Sequence, residues 1–423
     1  MNMKKVNSWE IRKLFEICQV ETGRRPSKKE LSQTKYFSLG GEHITEDHQI
    51  NWEKNDWFIT EEFWHSLKKG KLDEEAILLV KDGATIGKCA YFNLQRSKYI
   101  TSVNEHVYKI TSKPNICNNR FLYYVICSSV CQSQILNCVT GAAQPGLNRS
   151  FLQSVEIPLP NYKIQQKISA ILSAYDDLIE NNTRRIKILE EMAQRIYREW
   201  FVNFRFPGHE KVKFVNSELG KIPNGWSVEN LYKYVDFEKG IEPGSDNYEK
   251  YANKENVPFL RVGDLGNRSI EIFVNRSLIK NKIIKEDDIA VSMDGSPGIV
   301  KMGLFGCYST GIRKLVIKDN VMKKSFLYFL MMSEHIQNII KTHSKGSTIL
   351  HASESIKYMN FILPDNELMR IFDDIVKPMI KEILLLNNKN KILRETRDIL
   401  LPKLISGELD VSDLDIAVRE NKI

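Results

Sequence analysis

No stretch of the 423-residue chain reaches the 18 or more consecutive apolar residues that a membrane-spanning helix needs. The first residues, MNMKKVNSWEIRKLFEIC, are charged and have no apolar signal core. Neither membrane insertion nor secretion is indicated, and the cytoplasm is the expected location. Cysteine is scarce. Seven residues, an odd number without regular spacing, fit reduced thiols better than a disulfide framework. Neither sign of charge dominates: the net charge is +8, and residues 1–160 carry 21 Lys and Arg against 17 Asp and Glu, while residues 207–363 carry 22 against 18. At +4 for each of these two segments, nucleic-acid binding by local patches is permitted but not required.

Catalytic signatures are also missing. There is no Gly-x-Ser-x-Gly elbow, no His-Glu-x-x-His, and no glycine fingerprint opening a βαβ unit. The eight histidines are scattered. Gly83-Ala84-Thr85-Ile86-Gly87-Lys88 has three residues between its glycines, where a phosphate-binding loop needs four, and Cys89 follows the lysine, so it reads as a hairpin turn. Cys127, Cys131 and Cys138, with Cys117 nearby, lack zinc-finger spacing and read as small apolar core residues. Neither a catalytic residue nor a metal site is therefore expected.

Two long helical stretches are the chain's dominant feature, one from Asn161 to about Phe204 and one from Asp365 to about Ile405. Each follows a Leu-Pro pair, Leu159-Pro160 or Leu363-Pro364, and opens on a residue suited to N-capping, Asn161 or Asp365. In the first, Ile164, Ile168, Ile171, Tyr175 and Leu178 step by four, three, four and three. In the second, Leu368, Phe372, Ile375 and Met379 repeat those steps, and Ile383 takes the final place beside Glu382. That spacing makes a coiled-coil seam, and a helix of about 40 residues would be ~60 Å long. Pairing of the two helices is the economical reading; separate amphipathic helices on separate domains are the alternative. Asn181-Asn182 and Asn387-Asn388 lie near mid-helix, where polar seam residues can fix register, and Pro378 is expected to kink or split the second helix.

The segments ahead of the two helices share landmarks in the same order. Trp9, Leu14, Gly23 and Pro26 match Trp226, Leu231, Gly240 and Pro243, and Phe37, Gly41 and Glu42 match Phe259, Gly263 and Asp264. A strand, turn and strand around Asp82-Gly83 answers another around Asp294-Gly295. Helices from Phe121 and Phe326 follow, and then loops bearing Gly141 and Gly346. The expected fold class is therefore α+β, one mixed unit used twice as an internal repeat, and long helices that pair as an antiparallel coiled coil would give it a pseudo-twofold axis.

Several polar residues suit contact with phosphates and base edges. Arg24, Arg25, Lys28 and Lys29 cluster in one loop, whose counterpart GIEPGSDNYEK is not basic. Two related modules could read different sequences there; a solvated surface loop is the alternative. The Gly141 loop offers Gln144, Asn148 and Arg149, and its partner offers Lys345, Ser347 and Thr348. Arg261, Arg268 and Arg313 are chosen on residue type and loop position alone.

From end to end the chain resembles the specificity subunit of Type I restriction-modification systems. The resemblance rests on Gly220-Lys-Ile-Pro-Asn-Gly-Trp226, on IQQKISAILSAYDDLIENN and LMRIFDDIVKPMI after the Leu-Pro pairs, and on the closing RDILLPKLISGELDVS. The first module departs by lacking the Ile-Pro-x-Gly-Trp opening and by reading Phe-Ser-Leu-Gly-Gly-Glu where the second reads Phe-Leu-Arg-Val-Gly-Asp. The resemblance implies target-recognition domains at residues 1–160 and 207–363, conserved spacer helices at 161–206 and 364–412, and a tail at 413–423. It further implies that each domain reads one half of a bipartite double-stranded DNA target, and that the coiled coil sets the gap. Two methyltransferase subunits would dock on the helices, and nuclease-translocase subunits would join through that core. The subunit itself would be non-catalytic and free of cofactors, with S-adenosylmethionine, ATP and Mg on the partners. A coiled-coil interaction scaffold without DNA specificity is the main rival; an enzyme with an unrecognised active site is the third reading.

Overall fold

The computed structural model describes residues 9–54, 57–141, 145–266, 270–346 and 350–417. The chain forms two compact units, Met1–Ile179 with Ile392–Ile423, and Glu180–Lys391. Each contains one globular module and parts of both long helices.

In the first unit a four-stranded antiparallel sheet runs in the order Cys18–Thr22, Val107–Ser112, Ala76–Val80, Cys89–Phe92. Every residue of Ala76–Val80 is buried, as suits an AILLV strand covered on both faces. The Asp82-Gly83 segment is the expected turn between Ala76–Val80 and its antiparallel neighbour. A second sheet sets Leu31–Leu39 between Phe58–Ile59 and Ile100–Val103, the last pairing parallel. Glu10–Lys13 pairs with Glu156–Leu159, the strand that feeds the first long helix.

The second unit repeats this plan. Its antiparallel sheet runs Val235–Lys239, Ile312–Ile317, Ile289–Ser292, Val300–Lys301. Asn256–Leu260 pairs parallel with Gly306–Tyr308, and Ser227–Asn230 pairs with Asn360–Leu363. The landmarks fall at equivalent places. Phe37 and Phe259 are both fully buried. A Cβ on Gly23 would lie 1.7 Å from the Val103 carbonyl oxygen, and one on Gly240 would lie 2.2 Å from that of Tyr308. Only glycine lets the chain leave the first strand of each sheet so close to the parallel pair. The strand second in each sheet even carries a lysine in the same register. Lys109 stands beside Glu21 and reaches Asp73 at 3.1 Å, while Lys314 stands beside Glu238 and reaches Asp288 at 3.0 Å.

The central helix, Tyr162–Tyr197, runs into a π-helical turn at Arg198–Val202, and the distal helix spans Asn366–Ile405. Both expected caps form. Asn161 Oδ1 accepts from the Ile164 amide at 3.0 Å, and Asp365 Oδ1 from the Leu368 amide at 2.8 Å. In the first unit Ile164, Ile168 and Leu172 share a core with Leu404 and Ile405, and Arg397 reaches Asp176 at 2.7 Å. In the second, Asn182 meets Asn390 at 2.9 Å, Arg185 meets Glu382 at 2.8 Å, and Tyr197 and Phe201 pack on Phe372. Within each unit rising numbers on one helix meet falling numbers on the other, so the pairing is antiparallel.

The seam's phase differs from the expected one. Leu178 and Ile375 are 51% and 38% exposed, whereas Ile179 and Val376 are buried; Ile171 is half-buried beside a fully buried Leu172. On the central helix the seam runs Ile168, Leu172, Tyr175 and Ile179 in the first unit and Asn182 and Ile186 in the second; on the distal helix, within the second unit, it runs Met369, Phe372, Val376, Met379, Ile383, Leu386, Asn390. The slip begins in the first turns of the central helix, which pack on the globular module as well. There Gln165 and Ser169 are buried and bond to Asn118, so two successive steps of four precede the heptad. Leu368, beside Met369, is buried in the second unit's core.

Two further expectations are corrected. The buried polar pair is Asn182 with Asn390; Asn181, Asn387 and Asn388 are exposed. The distal helix also runs unbroken through Pro378. That residue lies on the exposed face, where water can satisfy the carbonyl that loses its amide partner.

Candidate nucleic-acid interface

In the first module the loop after Gly23 is held from within. Ser27 and Glu30 form a capping box around a short 3-10 turn, and Glu30 Oε1 and Ser66 Oγ accept from Arg24 at 3.1 and 3.3 Å. The Arg24 guanidinium also sits 4.6 Å over the Phe63 ring. The Ser27 backbone amide, first of several donors, holds the Glu30 carboxyl below its ordinary range. Arg25 lies 3.9 Å from Glu105.

From Glu105 a polar relay crosses to the Gly141 loop. Glu105 Oε1 lies 3.0 Å from His106 Nε2, and His106 Nδ1 lies 3.1 Å from Asp82 Oδ2. Asp82 bridges to Gly146 in the backbone, the Leu147 amide donates to the Lys81 carbonyl, and Tyr108 donates its hydroxyl proton to the Leu147 carbonyl at 2.8 Å. The basic loop and the Gly141 loop are thus fastened to one hairpin turn, on one side of the module. Asn148, tied to Thr140 at 3.1 Å, and Arg149 are exposed there.

The second module fastens its loops in the same way with different residues. Asp294-Gly295 pairs with Leu350–His351, and the His351 ring lies 2.8 Å from Asp294 Oδ1. Arg313 holds the place of Tyr108, both being last in register opposite the first strand. Its guanidinium donates to the Thr310 carbonyl and to Ser353 Oγ at 2.5 and 2.7 Å. Each module therefore sets a histidine against the carboxylate of its Asp-Gly turn. His106 precedes one strand and His351 lies within the Gly loop, so no sequence offset relates them.

Among the described residues, Lys28, Lys29 and Arg149 are exposed cations with no carboxylate within ion-pair distance. The other cationic candidates are engaged: Arg24 and Arg25 as above, Arg261 with Asp264 at 3.6 Å, and Lys345 with Glu354 at 2.7 Å, although all four are largely exposed. Arg313 is corrected from surface candidate to structural tie. It is only 6% exposed, and burial lowers its pKa from the ordinary value. Gln144, Arg268, Ser347 and Thr348 lie outside the described residues. The relay residues Glu105, His106 and His351 went unseen in the sequence, where nothing marks them.

A family model, Type I restriction modification DNA specificity domain, matches residues 7–191 and 228–394. The Type I restriction enzyme MjaIX specificity subunit of Methanocaldococcus jannaschii is 29% identical over 426 residues, across 96% of this chain and 94% of that protein. The Type I restriction enzyme HindI specificity subunit of Haemophilus influenzae is 24% identical, across 63% of this chain and 71% of that protein. Among solved structures, the Type-I restriction-modification system S subunit from M. genitalium shares the fold, with a TM-score of 0.62 over 96% of this chain and 98% of that one at 16% identity. The two family matches fall one on each copy of the repeat, and the chain belongs to the family of Type I restriction-modification DNA specificity domains.

Proposed function

We propose that the chain is the DNA-reading subunit of a Type I restriction-modification complex, with each globular module reading one half of a bipartite duplex target. The observation that carries this is one frame used twice with unlike loops. Behind equivalent glycines, the first module presents Arg24, Arg25, Lys28 and Lys29, and the second presents Glu242 and Asp246. A repeat kept for shape but varied at its polar loops is what reading two different sequences requires.

The subunit does no chemistry of its own. Methyltransferase subunits dock on the long helices, where Ile188, Met192 and Leu385 remain exposed beside the seam. Nuclease-translocase subunits join through them. S-adenosylmethionine, ATP and Mg belong to those partners. The length of the helical pair sets the unread gap between the half-sequences.

A net +4 on each module supplies few phosphate contacts, so specific binding needs the assembled complex. Salt titration with duplexes that match or lack the modified motif tests this. The assembly is expected to prefer its own bipartite site and to lose affinity steeply as salt rises. Equal affinity for every duplex would contradict it.

A further inference from the structure

Three residues far apart in sequence converge in the first unit. His48 lies in the turn between Thr45 and Gln49, Cys89 opens the edge strand Cys89–Phe92, and Cys127 closes the helix Asn119–Cys127. Cys89 Sγ and Cys127 Sγ are 2.7 Å apart, and His48 Nδ1 lies 3.5 Å from the first sulfur and 4.0 Å from the second. The turn that delivers the imidazole is built for that placement. His48 takes a left-handed φ of 63°, while Thr45 Oγ1 accepts from the Gln49 amide at 3.0 Å. Cys89 is fully buried and the other two residues are partly so.

We propose that His48, Cys89 and Cys127 form a binding site for a thiophilic divalent cation, zinc(II), with a fourth position open to water. The donor set of two thiolates and one imidazole favours such an ion over magnesium or calcium, which take oxygen ligands. Tetrahedral zinc with bonds of roughly 2.3 Å to sulfur and 2.0 Å to nitrogen places sulfur and nitrogen about 3.5 Å apart and two sulfurs about 3.8 Å apart. The separation from Cys89 matches that triangle at 3.5 Å, and the one from Cys127, at 4.0 Å, must close by about 0.5 Å. The sulfurs must part by about 1 Å, which χ1 rotations of roughly 20° shared by both cysteines would supply. Binding replaces the two thiol protons, which pass to solvent. The imidazole keeps its proton on Nε2, leaving Nδ1 for the metal in place of its 3.0 Å contact with the Cys89 carbonyl. The ion would join a turn, a strand and a helix that come from separate parts of the first unit. Sequence spacing could not reveal the site, because the ligands are 41 and 38 residues apart.

The test uses the full-length chain, reduced, stripped with chelator, kept free of oxygen and titrated with Co2+. One equivalent is expected to bind with a thiolate-to-cobalt charge-transfer band and the strong visible bands of tetrahedral cobalt, and Zn2+ should displace it. Cys89→Ser and Cys127→Ser each lose charge-transfer intensity. His48→Gln weakens binding by at least the roughly tenfold that loss of an outer-shell partner costs, and Cys307→Ser changes nothing. In the unaltered chain, Zn2+ should protect the partly exposed Cys127 from alkylation, mapped by peptide mass, and leave Cys138 reactive. A reduced wild-type chain with no charge-transfer band overturns the proposal, as does a Cys127 that is alkylated equally readily with and without Zn2+. Formation of a Cys89–Cys127 disulfide under peroxide in a chain that binds no cobalt would leave a dithiol in place of a metal site.

Discussion

The Asn182 amide donates to Asn390 Oδ1 at 2.9 Å inside the helix pair, and Asn390 in turn reaches Thr183 Oγ1 at 3.3 Å. A buried amide that loses its partner keeps its desolvation cost, about 1–3 kcal/mol, whereas replacing both partners with apolar groups is close to neutral. Asn390→Leu alone should therefore lower stability by about that amount, and Asn182→Leu with Asn390→Leu should restore most of it. Denaturant midpoints of the four proteins in the cycle decide this, and simple additivity would mean that the pair does not act as a unit. The exposed cations call for a different readout. Lys28→Ala with Lys29→Ala should reduce the salt dependence of DNA binding by the assembled complex, by about 0.9 in log–log slope for each phosphate that is no longer neutralised. Arg313→Ala should instead cost about 1–3 kcal/mol of stability through its unpaired acceptors and leave the slope alone. Residue type picked out Arg313 and Arg149 equally well in the sequence. Only burial separates them, and burial depends on strand register: Arg313 takes the place that Tyr108 fills in the other copy. The histidine relays were illegible for a related reason, since the two copies recruit His106 and His351 from different segments to equivalent carboxylates, Asp82 and Asp294.

At the scale of elements, what was legible was local. Helix caps at Asn161 and Asp365, the Asp-Gly hairpins and the glycines after the first strand of each sheet depend on residues within a few positions or on one backbone approach. The seam's phase depends on what a helix touches. The central helix begins against its own module through Gln165 and Ser169, so counting forward from Ile164 puts Leu178 where Ile179 belongs. A charge placed at each position separates the two phases. Ile179→Lys should cost more than about 3 kcal/mol, since it buries an unpaired ammonium, and Leu178→Lys should cost under about 0.5 kcal/mol. Thermal midpoints of the two variants check this, and a larger loss at Leu178 would favour the phase counted from Ile164. Pro378 gives the same lesson in reverse. Its local rule predicts a break, and its exposed position removes most of the cost.

At the scale of the whole molecule, the account rests on two modules that share a frame and read independently. The parallel pairs, the four-stranded sheets and the fastened loops repeat in order, while the residues on those loops diverge. The order of landmarks made the duplication visible in the sequence. The bases read could not be seen, because one Arg or Asn can face several base edges depending on docking. The most direct measurement replaces residues 207–363 with the matching segment of a relative and sequences the modified bases in cells that carry the variant with its methyltransferase partner. The account predicts a modified motif in which one half-sequence is exchanged and the other, with its own modified base, is unchanged. A complex that still methylates but has altered both half-sequences, or neither, would contradict it.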